Sequence, residues 1–464
     1  MREADTVEYV IIGNSAAAVG AIESIRRVDQ KSNLTVVSNE KEHVYSRPLI
    51  AHYLAGEVPE DRMPYRPQDF YTNYGVTTCL GMRVTEIETL SEKLCLDNGS
   101  TINYDRLLLT TGSKVSIPPL PGCEDFDGVS VFQSFEDAKN VITRLKKGRE
   151  AVVIGAGLIG LRAAYGLQEA GADVTLIEML PRIASRVLDE KGSMLVQKML
   201  EDGGIKVLTG CSVQEIVGNK TDGVSGVILG SGEVIDCNVV IISTGVSPNT
   251  SLVENTPVEV NMGIVVNDYF QTSFTNIFAA GDVAETHDIP RDTGMVNANW
   301  PNAYEQGRYA GLCMTGSMQR YPGSLGMNSV SFYKMPVISM GLFDPENEGV
   351  SGADIKIREN LKNNLYQKLV FINNRLKGAI LIGDISYAGA INDLIREQVL
   401  VGIIKDSILE EKYQLYDFLR RKREAKMEGT AIEWPETHSS TKRYEKSFNE
   451  ETWTERERDK RTWR

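Results

Sequence analysis

The chain has 464 residues, more than the roughly 250–300 at which one hydrophobic core stops growing, so two or three separately cored domains are expected. A formal net charge of −13 argues against nucleic acid and anionic membrane surfaces as partners, and no apolar run approaches the ~18 residues of a membrane span. The six cysteines, at positions 79, 95, 123, 211, 237 and 313, contain no CxxC pair, and the polar start MREADTVEYV has no leader pattern; both features predict a soluble, cytoplasmic protein with scattered thiols.

The first elements are a strand in EYVII, a turn at Gly13, a helix in AAAVGAIESIRRVD, a second strand in NLTVVS, and Glu40 beyond it. On the GxGxxG frame of a dinucleotide-binding βαβ unit, Gly13 takes the first position, Ser15 the second and Ala18 the third. Two readings fit this segment by itself. In one, the smallest side chains after glycine keep a phosphate site open, with a Ser15 hydroxyl to donate; in the other, small residues serve packing alone. Next comes NEKEHVYSRPLIAHYLAG, a loop containing Tyr45, Ser46, Arg47 and Pro48, in which Arg47 is either a surface charge or a cation for a ligand. LLLTTGS at 107–113 then reads as a buried strand ending in Thr111 and Gly112.

AVVIGAGLIG at 151–160 is a complete fingerprint, with Gly155, Gly157 and Gly160 following a β-branched run and Leu158 and Ile159 opening the helix. Gly155 permits the tight turn, Gly157 lets the backbone meet a pyrophosphate, and Gly160 lets helix and strand pack closely. The helix stops at Gly171, and the next strand ends at Glu178, placed to accept from a ribose 2′-hydroxyl. Glu178 would repel a 2′-phosphate, which favours NAD(H) over NADP(H), although Arg182 nearby pulls the other way. IISTGVSPN at 241–249 repeats the strand ending in Thr-Gly, here Thr244 and Gly245. TNIFAAGDVAE delivers Gly281 and Asp282 to a loop, where the carboxylate can accept from sugar hydroxyls.

From YPGSLGMNSV onward, short alternating strands are expected, then a hairpin in LVFINNRLKGAILIGD turning at Asn373 and Asn374, then a helix in AGAINDLIREQVLVGI. Beyond about residue 420 the chain is highly charged, yet three of its four tryptophans, Trp434, Trp453 and Trp463, lie there. Composition predicts disorder, whereas the tryptophans predict a segment that wraps a partner subunit.

The motifs GNSAAAVG, YSRPLIAHYLAG, LLLTTGS, VVIGAGLIG, STGVSPN and IFAAGDVAE, in this order over about residues 7 to 400, resemble the FAD-dependent pyridine nucleotide oxidoreductases, in the branch of rubredoxin reductases and the flavin domain of NADH-dependent nitrite reductase. The resemblance implies an α/β fold with two Rossmann-like, glutathione-reductase-type domains and a C-terminal α+β interface domain. Residues 1–113 and 246–320 would form a discontinuous FAD domain, 114–245 the NAD domain, 321–420 the interface domain and 421–464 a partner-binding tail. It implies that Gly13, Asn14, Ser15, Ala16, Ala17 and Glu40 hold the FAD pyrophosphate and adenosine ribose, that Arg47 and Pro48 line the flavin and that Val84 touches adenine. Thr111 and Gly112 would follow the cofactor backbone and Gly281 and Asp282 would hold the ribityl chain, while Gly155, Gly157, Leu158, Ile159, Gly160, Glu178, Thr244 and Gly245 take NAD(H).

Related disulfide reductases carry a CxxxxC pair, and NADH peroxidases a single cysteine, just after the first βαβ unit; this chain has no cysteine there. The expected activity is therefore hydride exchange between nicotinamide and FAD, with electrons passed to or from an iron–sulfur carrier or an iron–sulfur subunit of a redox complex. NADH oxidase or peroxidase activity and a sensor without turnover are the alternatives, and homo-oligomerisation is left open. No catalytic side chain and no metal site are expected. One departure from the family is Arg162, where Glu is common: either a helix-surface charge or a reversed charge near the nicotinamide or flavin edge.

Overall fold

The computed structural model describes residues 6–402, 404–406, 408–409 and 412–428. Glu8–Ile12 is flanked on both sides by parallel partners, Asn33–Ser38 and Arg106–Leu109, and its apolar residues are buried on both faces, which is why EYVII reads as a continuous run rather than an alternation. Thr77–Leu80 closes one edge of this sheet, and the other edge is Ile277–Ala279, which pairs in parallel with Leu107–Leu109. A second parallel sheet has the order Lys206–Thr209, Asp173–Glu178, Glu150–Ile154, Val239–Ile242, Val129–Val131. A third, antiparallel sheet runs Met327–Phe332, Met335–Gly341, Arg375–Ile382, Leu365–Ile372, Asp354–Asn360.

Nine helices occur among the described residues: α1 (Ala16–Val28), α2 (Ile50–Leu54), α3 (Phe70–Asn73), α4 (Phe135–Leu145), α5 (Leu158–Glu169), α6 (Glu190–Asp202), α7 (Trp300–Met314), α8 (Ala388–Glu397) and α9 (Lys412–Glu428). Helices α1 and α7 meet backbone to backbone: a Cβ added at Gly307 would overlap the Ala17 carbonyl, and one added at Gly20 would overlap the Tyr304 carbonyl. Small residues in the first fingerprint thus serve packing, since α7 lies directly on α1.

The antiparallel sheet shares one core with the second parallel sheet, where Phe332, Val337, Tyr366 and Ile380 pack with Val153, Leu176 and Leu200. The turn between its first two strands carries Tyr333 at φ 46, and this ring fills the space left by the absent side chain of Gly203 at the end of α6. Asn373 and Asn374 make the expected hairpin turn at φ 49 and 58. The helix expected through residue 403 stops at Glu397 instead, because Gln398 takes the left-handed conformation and its N–H returns to the Ile395 carbonyl. Helix α9 belongs to a second unit that begins at Glu411, and Trp434, Trp453 and Trp463 lie outside the described residues. Among the described residues no helix is long and apolar enough to cross a membrane.

Candidate functional site

Each parallel sheet delivers a turn and a helix N-terminus at the carboxyl end of its central strand. Gly13 (φ 115) and Gly155 (φ 99) hold equivalent places, and a side chain at either would also overlap a carbonyl of the neighbouring strand end, Thr110 or Ser243. Their N–H groups bond Val37 O at 2.8 Å and Ile177 O at 2.8 Å, and the Thr110 and Ser243 hydroxyls donate to Ile12 O and Gly155 O, both at 2.8 Å. The two turns are therefore the same device built twice.

Helices α4, α6 and α7 are capped by the side chains of Ser134, Asp189 and Asn299. Helices α1 and α5 begin at Ser15 and Gly157 with no side-chain cap and no acidic residue in the first turn. Their first N–H groups and positive dipole ends are available to an anion. At Gly157 an added Cβ would meet no protein atom within 4 Å, in contrast to Gly160, where it would overlap Gly155 O. Gly160 is thus explained by packing, whereas Gly157 leaves space that none of the described residues uses. A dinucleotide pyrophosphate fits that space and those donors, and the free Ser15 hydroxyl gives the first turn a donor in place of its missing glycine. Ala16, Ala17 and Ala18 are buried in α1, and Leu158 and Ile159 lie in the first turn of α5, Ile159 exposed.

Several expected ligand residues also hold protein groups. Asn14 accepts from Tyr71 Oη at 2.6 Å and donates to Glu42 O at 3.3 Å. Glu40 accepts from Tyr45 Oη at 2.6 Å and is ion-paired with Arg47, whose Nη1 donates to Gln133 O at 3.0 Å. Glu178 accepts from the N–H groups of Ala156 at 2.7 Å and Leu180 at 2.9 Å, which orients its carboxylate beside the second turn. Thr111 and Thr244 donate to Asn249 O and Ser116 O, tying down the crossing strands Ser113–Val115 and Val246–Pro248, while Gly112 and Gly245 border open space. Val84 is buried at the start of Val84–Glu88, Pro48 sits in the short turn Arg47–Leu49, and Arg182 is engaged by Leu188 O and Asp344.

Gly281 (φ 82) follows Ile277–Ala279, and its N–H donates to Gln306 Oε1 at 2.8 Å. Gln306 is the residue that sequence reasoning missed: it lies 25 positions away on α7, with no local pattern to mark it. Asp282 stands beside Arg47. Burial works against the Arg47 cation, and the neighbouring Tyr45, Glu40 and Asp282 more than restore it. Burial raises the Asp282 carboxyl to about 6, with Arg47 opposing the rise.

The folded chain therefore holds the Asp282 proton more tightly than the unfolded chain, and its stability falls as pH rises from about 4 through about 6. Asp282→Asn is expected to raise the thermal midpoint of the FAD-free chain at neutral pH, the gain shrinking toward zero as pH falls through that window. A pH-independent gain would contradict the burial of this carboxylate.

The six cysteines are unpaired and, among the described residues, no cluster of metal-ligating side chains occurs. A family model described as pyridine nucleotide-disulphide oxidoreductase matches residues 7–307, and one described as the rubredoxin NAD+ reductase C-terminal domain matches residues 327–399. The assimilatory nitrate reductase electron transfer subunit of Bacillus subtilis is 31% identical over 404 residues, 86% of this chain and 51% of its own length. The NADH-dependent phenylglyoxylate dehydrogenase subunit epsilon of Aromatoleum evansii is 29% identical over 397 residues, 85% of this chain and 92% of that one. The chain thus spans about half the length of the first relative and nearly all of the second. Among solved structures, the covalent putidaredoxin reductase–putidaredoxin complex matches with a TM-score of 0.80 at 25% identity, covering 90% of this chain and 99% of that one.

Proposed function

The chain belongs to the pyridine nucleotide-disulphide oxidoreductase family, whose members use FAD and NAD(H), and from that premise we propose that it exchanges electrons between NAD(H) and an iron–sulfur protein. The observation that carries this reading is the pair of uncapped helix N-termini, one per sheet, with the open space at Gly157. Residues 1–113 and 246–320 make the FAD domain, residues 114–245 the NAD domain and residues 321–420 the interface domain. FAD, when bound, takes two electrons as a hydride and passes them on singly.

The chain's own residues bind and orient. The α1 N-terminus with Gly13, Asn14, Ser15, Ala16 and Ala17 holds the FAD pyrophosphate, Glu40 and Val84 border its adenosine, Thr111 and Gly112 follow its backbone, and Gly281 with Asp282 holds its ribityl hydroxyls. Arg47, with Pro48 beside it, places a permanent cation near the flavin. The α5 N-terminus with Gly155, Gly157, Leu158, Ile159 and Gly160 holds the NAD pyrophosphate, bordered by Thr244 and Gly245, and Glu178 accepts from the adenosine ribose. Arg182 is tied to Leu188 O and Asp344, so it does not stand free to meet a 2′-phosphate, which supports NAD(H).

An iron–sulfur partner is supported by the names of the relatives and by the absence of cysteine from Asn39–Gly56, which removes the thiol that disulfide and peroxide chemistry would need. Anaerobic NADH is expected to bleach the bound flavin, and an added ferredoxin or rubredoxin to accelerate NADH consumption well beyond the rate with oxygen alone. A flavin that NADH never bleaches would defeat the proposal, and a rate set by oxygen alone would point to an oxidase. The tail from residue 421 is proposed to hold the partner subunit through its tryptophans. Truncation at residue 425 should abolish copurification of that subunit while leaving NADH bleaching intact; unchanged copurification would refute the role of the tail.

A further inference from the structure

Arg162 lies five residues into α5, the helix whose N-terminus meets the nicotinamide nucleotide in the reading above. His52 lies in α2, five residues beyond Arg47, in the segment that borders the flavin. The two side chains meet, Arg162 Nη2 to His52 Nε2 at 2.7 Å, and Arg162 Nη1 donates to Ser331 O at 3.0 Å on the antiparallel sheet. His52 Nδ1 is bonded in turn to the Glu57 carboxylate. Helices α2 and α5 are packed closely behind this contact, where a side chain at Gly166 would crowd the Ala51 carbonyl. Arg162 is thus a joint among three parts of the molecule, and its ring contact with Tyr165, 5.7 Å to the centroid, further restricts it.

The direction of the hydrogen bonds determines what the joint requires. A guanidinium has donors only, so His52 Nε2 must accept, and the single imidazole proton must sit on Nδ1 and point at Glu57. A second proton on the ring would occupy Nε2 and face the guanidinium, replacing a hydrogen bond with a like-charge contact. The charged and titratable groups around the contact are Glu57 on the His52 side and Arg162 and Tyr165 on α5. Burial lowers the pKa of Arg162, with Glu57 and Tyr165 acting against it, and a guanidinium stays charged across the physiological range.

We propose that Arg162 and His52 form a positioning joint that aligns the nicotinamide-bearing helix with the flavin-bearing segment for hydride exchange. The inference rests on the NAD(H)–FAD reading above. Hydride exchange demands reacting atoms within about 3–3.5 Å, so a joint that loosens costs rate rather than nucleotide affinity.

The test is stopped-flow bleaching of the full-length holoprotein by saturating NADH, without oxygen, at about pH 8. Arg162→Met should bleach about tenfold more slowly at pH 8, with the half-saturating NADH concentration, FAD content and thermal midpoint unchanged. Arg162→Lys should recover part of that rate. His52→Gln, whose amide oxygen can accept from Arg162, should keep most of the rate, whereas His52→Leu, which offers no acceptor, should be as slow as Arg162→Met. Wild-type bleaching by Arg162→Met or by His52→Leu would overturn the joint while leaving the proposed function standing. A wild-type flavin that NADH does not bleach at all would instead refute the proposed function, and the joint with it.

Discussion

Replacing Gly157 with leucine is expected to slow NADH reduction of the flavin by about a hundredfold or more, with FAD content and thermal midpoint at wild-type values. The expectation follows from what surrounds this glycine. An added side chain at Gly157 meets no protein atom within 4 Å, and its φ of −72 is one that any residue adopts, so the fold has no stake in its being glycine. A nucleotide pyrophosphate seated on the α5 N-terminus does have such a stake, since a leucine side chain would occupy its place. Gly160→Leu provides the contrast, because there the added carbon overlaps Gly155 O and the chain itself is destabilised. Absorbance at the flavin maximum during anaerobic NADH titration, with FAD released by heating and counted, separates the two. Loss of both FAD and NADH reduction in Gly157→Leu would contradict the assignment of separate sites.

The second large effect is on stability. Asp189 caps α6 through Gly192 N at 3.0 Å, and its other oxygen accepts from Tyr366 Oη at 2.6 Å and Lys368 Nζ at 2.9 Å, both on the strand Leu365–Ile372. Asp189, Tyr366 and Lys368 are 8, 1 and 7% exposed, so the carboxylate joins the second parallel sheet to the antiparallel one through a nearly dry contact. Burial and the Asp189 carboxylate both hold the Tyr366 hydroxyl protonated. Asp189→Ala strands the Lys368 ammonium without a counter-charge, removes a helix cap and leaves the Tyr366 hydroxyl unpartnered, a loss of about 3–5 kcal/mol. Differential scanning calorimetry should show a clear drop in the thermal midpoint. Adding Lys368→Met to Asp189→Ala should recover much of it, because the stranded charge is then gone. No recovery would place the loss in the cap and the hydroxyl instead.

Features that depend on one or two neighbouring residues were legible in the sequence. The strands Glu8–Ile12 and Glu150–Ile154 follow from apolar, β-branched composition, and the turns at Gly13 and Gly155 from a backbone that only glycine adopts without strain. Glu178 stands beside the second turn, as its spacing predicts, because that spacing is set by one helix and one strand. The end of α8 was missed because the left-handed turn at Gln398 carries no glycine to announce it.

By itself, then, the sequence determined the two βαβ units with their glycine turns, the missing thiol beside the first of them, and the family, because these rest on local backbone geometry and fixed short spacings. The first fingerprint was open only when read alone, its assignment coming from the motifs around it, and there the tertiary structure contributed what local pattern could not: α7 packed on α1 accounts for the alanines, while the uncapped Ser15 leaves a donor for an anion. Only the tertiary structure paired Arg162 with His52 across 110 positions, Gln306 with Gly281 across 25, and Asp189 with Lys368 across 179. Polar side chains of this kind satisfy one another wherever the packed sheets and helices bring them together, and separation along the chain holds no record of that distance in space.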